Sequence, residues 1–304
     1  MKSLFICALA ALMVTCFTKK VKVQPLIATT LSNNFNNYWY GGEAEINSYE
    51  VSQFRYNDNH QGKAVLIFVT EDFLTDKQVK NDNYKNTNSV SVLKTNYLKK
   101  FPTGIYDYSL MTSVFNPIAN QNKHALKITT SVQDWCGHVW MQVNNKNENL
   151  KIQTFSYFES EADDVANVAV TWMEDELMNK LRLNPQNLPI GKFTMLPSLA
   201  YLRMIHKPTQ TYECTAQNLP YNKRDMQGEN LQSYKVNYPS LKRTLEIVYE
   251  GDFPFKIMGW KDSYPNRTGE MQTSTHQLIK SIKSAYWNKN SLSDQGLREE
   301  LGLE

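Results

Sequence analysis

From residue 44 to residue 283 this chain is written largely in twos. Apolar and polar residues alternate over a long succession of short runs, the pattern of strands with one face buried and one face wet. Residues 44–55 lead through the turn-like stretch Asn57-Asp58-Asn59-His60-Gln61-Gly62 into Ala64-Val65-Leu66-Ile67-Phe68-Val69-Thr70. This is a hairpin whose second arm is apolar on both faces and so belongs inside a sheet. Further strands are predicted over 89–98, 104–115, 125–132, 138–143 and 150–158, then over 199–206, 210–217, 232–237, 241–249, 255–262 and 272–283. Pro102-Thr103-Gly104, Asn116-Pro117 and Asn144-Asn145-Lys146-Asn147 supply conventional turn chemistry between some of them.

One segment breaks the alternation. Between 160 and 183, Val165, Val168, Trp172, Leu177 and Leu181 recur near helical spacing, and Asn184-Pro185 ends the run. A short helix is also predicted over 291–301, capped by Ser293 or Asp294. A succession of about a dozen strands around one helix predicts a mainly β fold, an antiparallel meander. It forms either one large curved sheet, a half-barrel, or two sheets divided near the helix at 160–184. The body is expected to span residues 32–304.

The first residues carry a different message. Lys2 precedes the apolar run from Leu4 to Val14, and the run ends at Leu12-Met13-Val14-Thr15-Cys16. A basic start, a short apolar stretch and a small residue before a cut are the parts of an export signal. A cysteine directly after the cut resembles the lipobox of bacterial lipoproteins, which implies acylation of Cys16, a signal peptide over 1–15 and a lipidated flexible tether over 16–31. The mature chain would then have 304 − 15 = 289 residues and, without Lys2, a formal charge of +2 instead of +3. So small a charge offers no field for nucleic acid, and none is expected as a partner. The expected partners are the membrane, through the lipid, and an apolar ligand or an envelope protein. Phe17-Thr18-Lys19-Lys20 lacks the acidic cluster resembling a Bacteroidota surface-export signal, so the expected location is the outer membrane, facing the periplasm.

Processing would leave Cys136 and Cys214 as the remaining cysteines. An envelope compartment permits a disulfide between them, although two separate buried thiols are the simpler expectation.

Candidate chemistry is sparse. Gln133-Asp134-Trp135-Cys136-Gly137-His138-Val139-Trp140 places a thiol, an imidazole and two indoles around a glycine bend. Cys136 and His138 are the weak candidates for a nucleophile and its base. Trp135, His138 and Trp140 are candidates for lining a ligand site, with a packed corner as the plainer alternative. His60, His124, His138, His206 and His276 are scattered singly, without metal-ligand spacing, so neither a metal nor another cofactor is expected. Ser160, Glu161, Asp163 and Asp164 read as the charged start of the predicted helix.

Several stretches together resemble a family of Bacteroidota lipoproteins of unknown function. They are Asn37-Tyr38-Trp39-Tyr40 with Gly42-Glu43-Ala44-Glu45, Ala64–Phe73, Gln133–His138, Ser281–Trp287 and Leu297–Leu303. The resemblance spans nearly the whole mature chain and implies no established catalytic residues. Its members are often labelled septum formation inhibitor Maf. True Maf pyrophosphatases carry an Arg-Arg motif that this chain lacks, so their active site does not carry over. Non-catalytic binding of an apolar or amphiphilic ligand is the leading expectation. A scaffold or accessory role in an envelope complex and a Cys/His hydrolase are the alternatives.

Overall fold

A computed structural model describes residues 32–304; the expected signal peptide over 1–15, Cys16 and the expected tether over 16–31 lie outside the described residues. Ser32 caps a first short helix, α1 (Asn33–Trp39), by accepting from the Phe35 amide at 3.2 Å. The strands follow as β1 (Ala44–Arg55), β2 (Asp58–Leu74), β3 (Val79–Lys80), β4 (Ser89–Thr103), β5 (Tyr106–Pro117), β6 (Lys127–Gln133), β7 (His138–Lys146), β8 (Asn149–Ser156), β9 (Asp164–Ala169) and β10 (Trp172–Met173). Then come α2 (Leu177–Leu183), β11 (Gly191–Leu196), α3 (Leu199–Met204), β12 (Tyr212–Pro220), β13 (Leu231–Tyr238), β14 (Arg243–Glu250), β15 (Ile257–Pro265), β16 (Met271–Ser284) and α4 (Gly296–Glu300).

All sixteen strands belong to one sheet. Strands β1 and β16 pair antiparallel near its middle, β2 to β9 extend from β1 on one side, and β15 back to β10 extend from β16 on the other. The two ends of the sheet are therefore β9 and β10, which are separated in the chain by only Val170 and Thr171. Three Cα steps reach at most about 11 Å, so the two edges must approach one another, and the sheet is rolled into a barrel-like form. The Val170 amide donates to the Glu148 carbonyl at 3.3 Å on one edge. The Thr171 hydroxyl donates to the Thr194 carbonyl at 2.9 Å on the other.

Rolling leaves an inside, and helices fill it. Every residue of α2 except Met178 is buried, including Asn179, Lys180 and Arg182. Buried polar groups need partners, and the surrounding wall provides them. Asn179 Nδ2 donates to the Leu93 carbonyl at 2.8 Å, Lys180 Nζ to the Gln121 carbonyl at 2.7 Å, and Arg182 Nε to the Pro254 carbonyl at 2.8 Å. Leu177, Leu181 and Leu183 join a continuous core with Phe68, Val114, Val143, Tyr234 and Ile247 from the strands.

The expected antiparallel, mainly β architecture is present as one curved sheet rather than two. Local expectations fail in several places, among them the expected turns at Pro102-Thr103, Asn116-Pro117 and Asn144–Lys146, which are the ends of β4, β5 and β7. The helix expected over 160–183 is confined to a turn at Glu174–Glu176 and α2, while Asp164–Ala169 is strand β9. Val165 and Val168 fit a helical spacing, but Ala162 adopts a left-handed φ of 51° and the free edge of β8 recruits the following residues. The strand expected over 199–206 is instead α3, because a short apolar run fits either element and burial inside the barrel decides. The polar stretch Asn57–Gly62 is mostly the start of β2, in cross-strand register with Ser52–Arg55 of β1. The helix expected over 291–301 is a 3₁₀ turn at Leu292–Asp294 followed by α4; Ser291 caps the turn, its side chain and amide both donating to the Asp294 carboxylate, and α4 has no side-chain cap.

Candidate functional site

Two neighbouring cavities lie at and below one end of the barrel and share part of their lining. The deeper one has a volume of about 110 Å³. Its wall is unusually charged for an interior: Lys99, Glu174, Asp175, Arg243, Asp262 and His276 all face it, alongside Gln53, Tyr97 and Trp260. Strand phase explains several of them, since Arg243, Leu245 and Ile247 alternate onto the inner face of β14.

Arg243 is the hub. Its guanidinium forks onto Glu174 at 2.6 and 2.7 Å and onto Asp262 at 2.7 and 2.9 Å, and it stacks on the Tyr201 ring at 3.7 Å. Tyr238 also donates to Glu174 at 2.7 Å. Asp175 is less well served. Burial pushes its carboxyl up to about 6, although the Leu199 amide donates to it at 3.0 Å. Lys99 Nζ donates to Gln53 Oε1 at 2.6 Å and has no carboxylate within ion-pair distance among the described residues. Burial pulls its ammonium down to about 8, offset only in part by the Asp262 charge. His276 stacks on Trp260 with ring centres 4.0 Å apart, and its Nε2 lies 3.0 Å from the Tyr97 hydroxyl. Burial and the Lys99 charge hold this imidazole well below the usual histidine range, hence neutral, and its Nδ1 has no partner among the described residues.

Tyr201, Met204 and Tyr264 form the partition between this chamber and a second cavity of about 470 Å³ at the barrel mouth. The mouth cavity has an apolar floor, made by Phe54, Ile205 and Leu241 together with the partition residues. Basic residues surround that floor: Arg55, His206, Lys207, Lys242 and Arg267. Arg55 is fixed to the wall, donating to the Met204 carbonyl at 2.5 Å and to the Tyr108 hydroxyl at 3.2 Å. A volume of this order, apolar below with a few convergent polar groups, is typical of a small-molecule site.

The site candidates singled out from the sequence, Trp135, Cys136, His138 and Trp140, line neither cavity. Cys136 is exposed, in the four-residue loop between β6 and β7, where its amide and that of Gly137 both donate to Asp134 Oδ1. Gly137 is required there: a Cβ would stand 2.6 Å from the Tyr157 ring. His138 and Trp140 are on the outer face of β7, and no hydrogen bond joins Cys136 to His138 among the described residues. Trp135 is exposed at the rim, 6.4 Å from the Tyr106 ring, which in turn bonds to Tyr56 of the mouth. Cys214 is buried and Cys136 is not, and among the described residues no disulfide joins them. Glu161, read as part of a helix start, instead accepts from His206 at 2.7 Å and pairs with Arg203 at 3.5 Å.

Sequence reasoning missed Lys99, Asp175, Arg243, Asp262 and the basic mouth. The phase of β14 was a usable signal for Arg243. Nothing local in the sequence marks Lys207 or Arg267, which sit in separate connections. Among the described residues, no group of three or more His, Cys, Asp or Glu is placed to hold a metal ion, and no helix is long and apolar enough to cross a membrane.

The chain matches no family model and no curated protein. Among solved structures it is similar to a β-barrel-like protein of the domain of unknown function DUF1849 from Brucella abortus. The two share 10% identity at a TM-score of 0.39, with 80% of this chain and 98% of that one covered.

Proposed function

We propose that this protein is a lipid-anchored envelope protein that binds an amphiphilic ligand, without catalysis, in the mouth of its barrel. The observation that carries the reading is the mouth cavity, with its apolar floor and polar rim. A purely apolar occupant is disfavoured, because the interior is filled by α2 and α3 and the remaining chamber is small and charged. Burying an apolar tail against uncompensated polar groups would cost more than it gained.

Calorimetric titration with monolauroylglycerol, a neutral single-chain amphiphile, tests the binding. One saturable site per chain is expected, and absence of binding both for this probe and for a charged single-chain amphiphile would overturn the reading. The anchor and the periplasm-facing outer-membrane location rest on the sequence around Cys16 and on Phe17-Thr18-Lys19-Lys20. Metabolic palmitate labelling should mark the wild type and not Cys16→Ala; equal labelling of both would remove the anchor. Protease treatment of intact cells should leave the protein uncut.

One observation favours a second reading, the accessory role in an envelope complex. Met111, Ser131, Trp140 and Phe155 are register partners across β5, β6, β7 and β8, and they form an outward row whose large members are exposed. Trp135 and Tyr157 add exposed aromatic surface near it. Aromatic surface of this kind suits a protein partner. Replacing Trp140 and Phe155 by Lys would then abolish the cellular role while leaving amphiphile binding intact.

A further inference from the structure

We infer that the occupant of the mouth cavity is an anion: a molecule carrying a phosphate or carboxylate head above an apolar body. This rests on the reading of that cavity as a ligand site and adds the charge of the ligand to it. Among the described residues, no carboxylate lines the cavity. Of its five basic residues, His206 is already tied to Glu161. Arg55, Lys207, Lys242 and Arg267 have no ion-pair partner among the described residues, and the Arg55 Nε is buried without any partner.

The arrangement is a consequence of the roll. Arg55 ends β1, Lys207 follows α3, Lys242 precedes β14, and Arg267 sits in the turn between β15 and β16. These four places are distant in sequence and meet only because the strands they border converge at one end of the barrel. Clustering like charges raises the energy of the empty site, since each cation lies in the field of the others. An anion seated among them relieves that repulsion, whereas a neutral head does not. The floor below, with Phe54, Leu241 and Met204, gives the apolar body a dry surface. Lys207, Lys242 and Arg267 are exposed, so the attraction acts through partly screened space and must weaken as salt is added.

The experiment compares three probes on the full chain by calorimetry: dodecyl phosphate below its micelle concentration, monolauroylglycerol and inorganic phosphate. Dodecyl phosphate is expected to bind at least about tenfold more tightly than monolauroylglycerol, with an affinity that falls as salt rises. The double variant Lys207→Glu, Arg267→Glu changes two exposed side chains that make no hydrogen bonds among the described residues, so it should fold normally. It should erase both the preference for dodecyl phosphate and the salt dependence, and an unchanged melting temperature would show that the fold is kept. Equal, salt-independent binding of the two lauryl probes by the wild type would overturn the anionic assignment and leave the amphiphile reading standing. No binding of either would overturn both. Inorganic phosphate competing at the same concentration as dodecyl phosphate would support an anion site but assign it to a soluble anion, overturning the amphiphile reading.

Discussion

Arg182, on the helix inside the barrel, forks onto Glu45 of the first strand, with Nη2 to Oε2 at 2.6 Å and the second Nη closing the pair. Both side chains are fully buried. Tyr38 of α1 and Asn47 of β1 donate to the same carboxylate, so helix, plug and wall meet at one point. Burial alone would push the Glu45 carboxyl up, but the Arg182 charge and these hydrogen bonds hold it at about 2.

Removing the carboxylate should therefore do more than lose an attraction. Glu45→Gln leaves a guanidinium buried without its counter-charge, at an expected cost of about 3–5 kcal/mol. Urea unfolding of the variant checks this. The double change Glu45→Met, Arg182→Met should recover much of the loss. A Glu45→Gln protein as stable as the wild type would show that water reaches the pair. The contribution of Glu45 is present above the ordinary carboxylate range and is lost as pH falls through about 2.

For Lys99 the charged form is the costly one. Its folded-state value of about 8 lies below the unfolded 10.5, so the folded protein carries the full cost of a buried ammonium at neutral pH. That cost is relieved as pH rises from about 8 towards 10.5, where the folded state has already released its proton. Lys99→Met should stabilise the protein at pH 7 by about 1–3 kcal/mol, the lost bond to Gln53 taking back part of the gain. Melts repeated in alkaline buffer should show that advantage shrinking. A constant advantage at every pH would mean that packing, not charge, produces it.

Asp175 gives a second pH signature in the same chamber. Its carboxyl is raised from 3.8 to about 6 by burial, so the folded state holds a proton that the unfolded state has lost. Stability from this group is complete below 3.8 and disappears as pH rises through about 6. Asp175→Asn should be near neutral at the acid end and stabilising by up to about 3 kcal/mol at pH 8. An unchanged difference between the two pH values would place Asp175 in contact with bulk water.

The two cysteines should differ sharply towards an alkylating reagent. Cys136 is exposed, whereas Cys214 is buried and its thiol is pushed up to about 12 by burial, with Glu174 adding to the effect. Iodoacetamide labelling read peptide by peptide in a mass spectrometer should modify Cys136 in the native protein and Cys214 only after denaturant. Protection of both in non-reducing conditions, reversed by reductant, would indicate a disulfide and require the β6–β7 loop to move.

How much of this was legible follows from the range of each interaction. Period-two alternation announces strands because the pleat that creates it is local, and β7 and β8 bury alternate residues much as their sequences read. The apolar run from Leu4 to Val14 and Cys16, on which the expected export signal rests, are equally local in the sequence. Where the sequence misled, two elements competed for the same short apolar run. Leu199–Met204 is a short apolar run that alternation alone reads as a strand; its Leu, Ala, Arg and Met favour helix, and enclosed by the rolled sheet it becomes one. Val165 and Val168 have helical spacing and become a strand because β8 offers a free edge.

The sequence by itself determined that this chain is a largely antiparallel β protein, since side-chain alternation is set by neighbouring residues. Only the tertiary structure decided that the sheet closes towards itself at Val170-Thr171, and with that closure, which charges became neighbours. Arg55, Lys207, Lys242 and Arg267 share a cavity, and Lys99, Asp175 and Asp262 share a chamber, because strands far apart in the chain end at the same place in space. Electrostatic interaction depends on distance through space, and no local reading of the chain contains that distance.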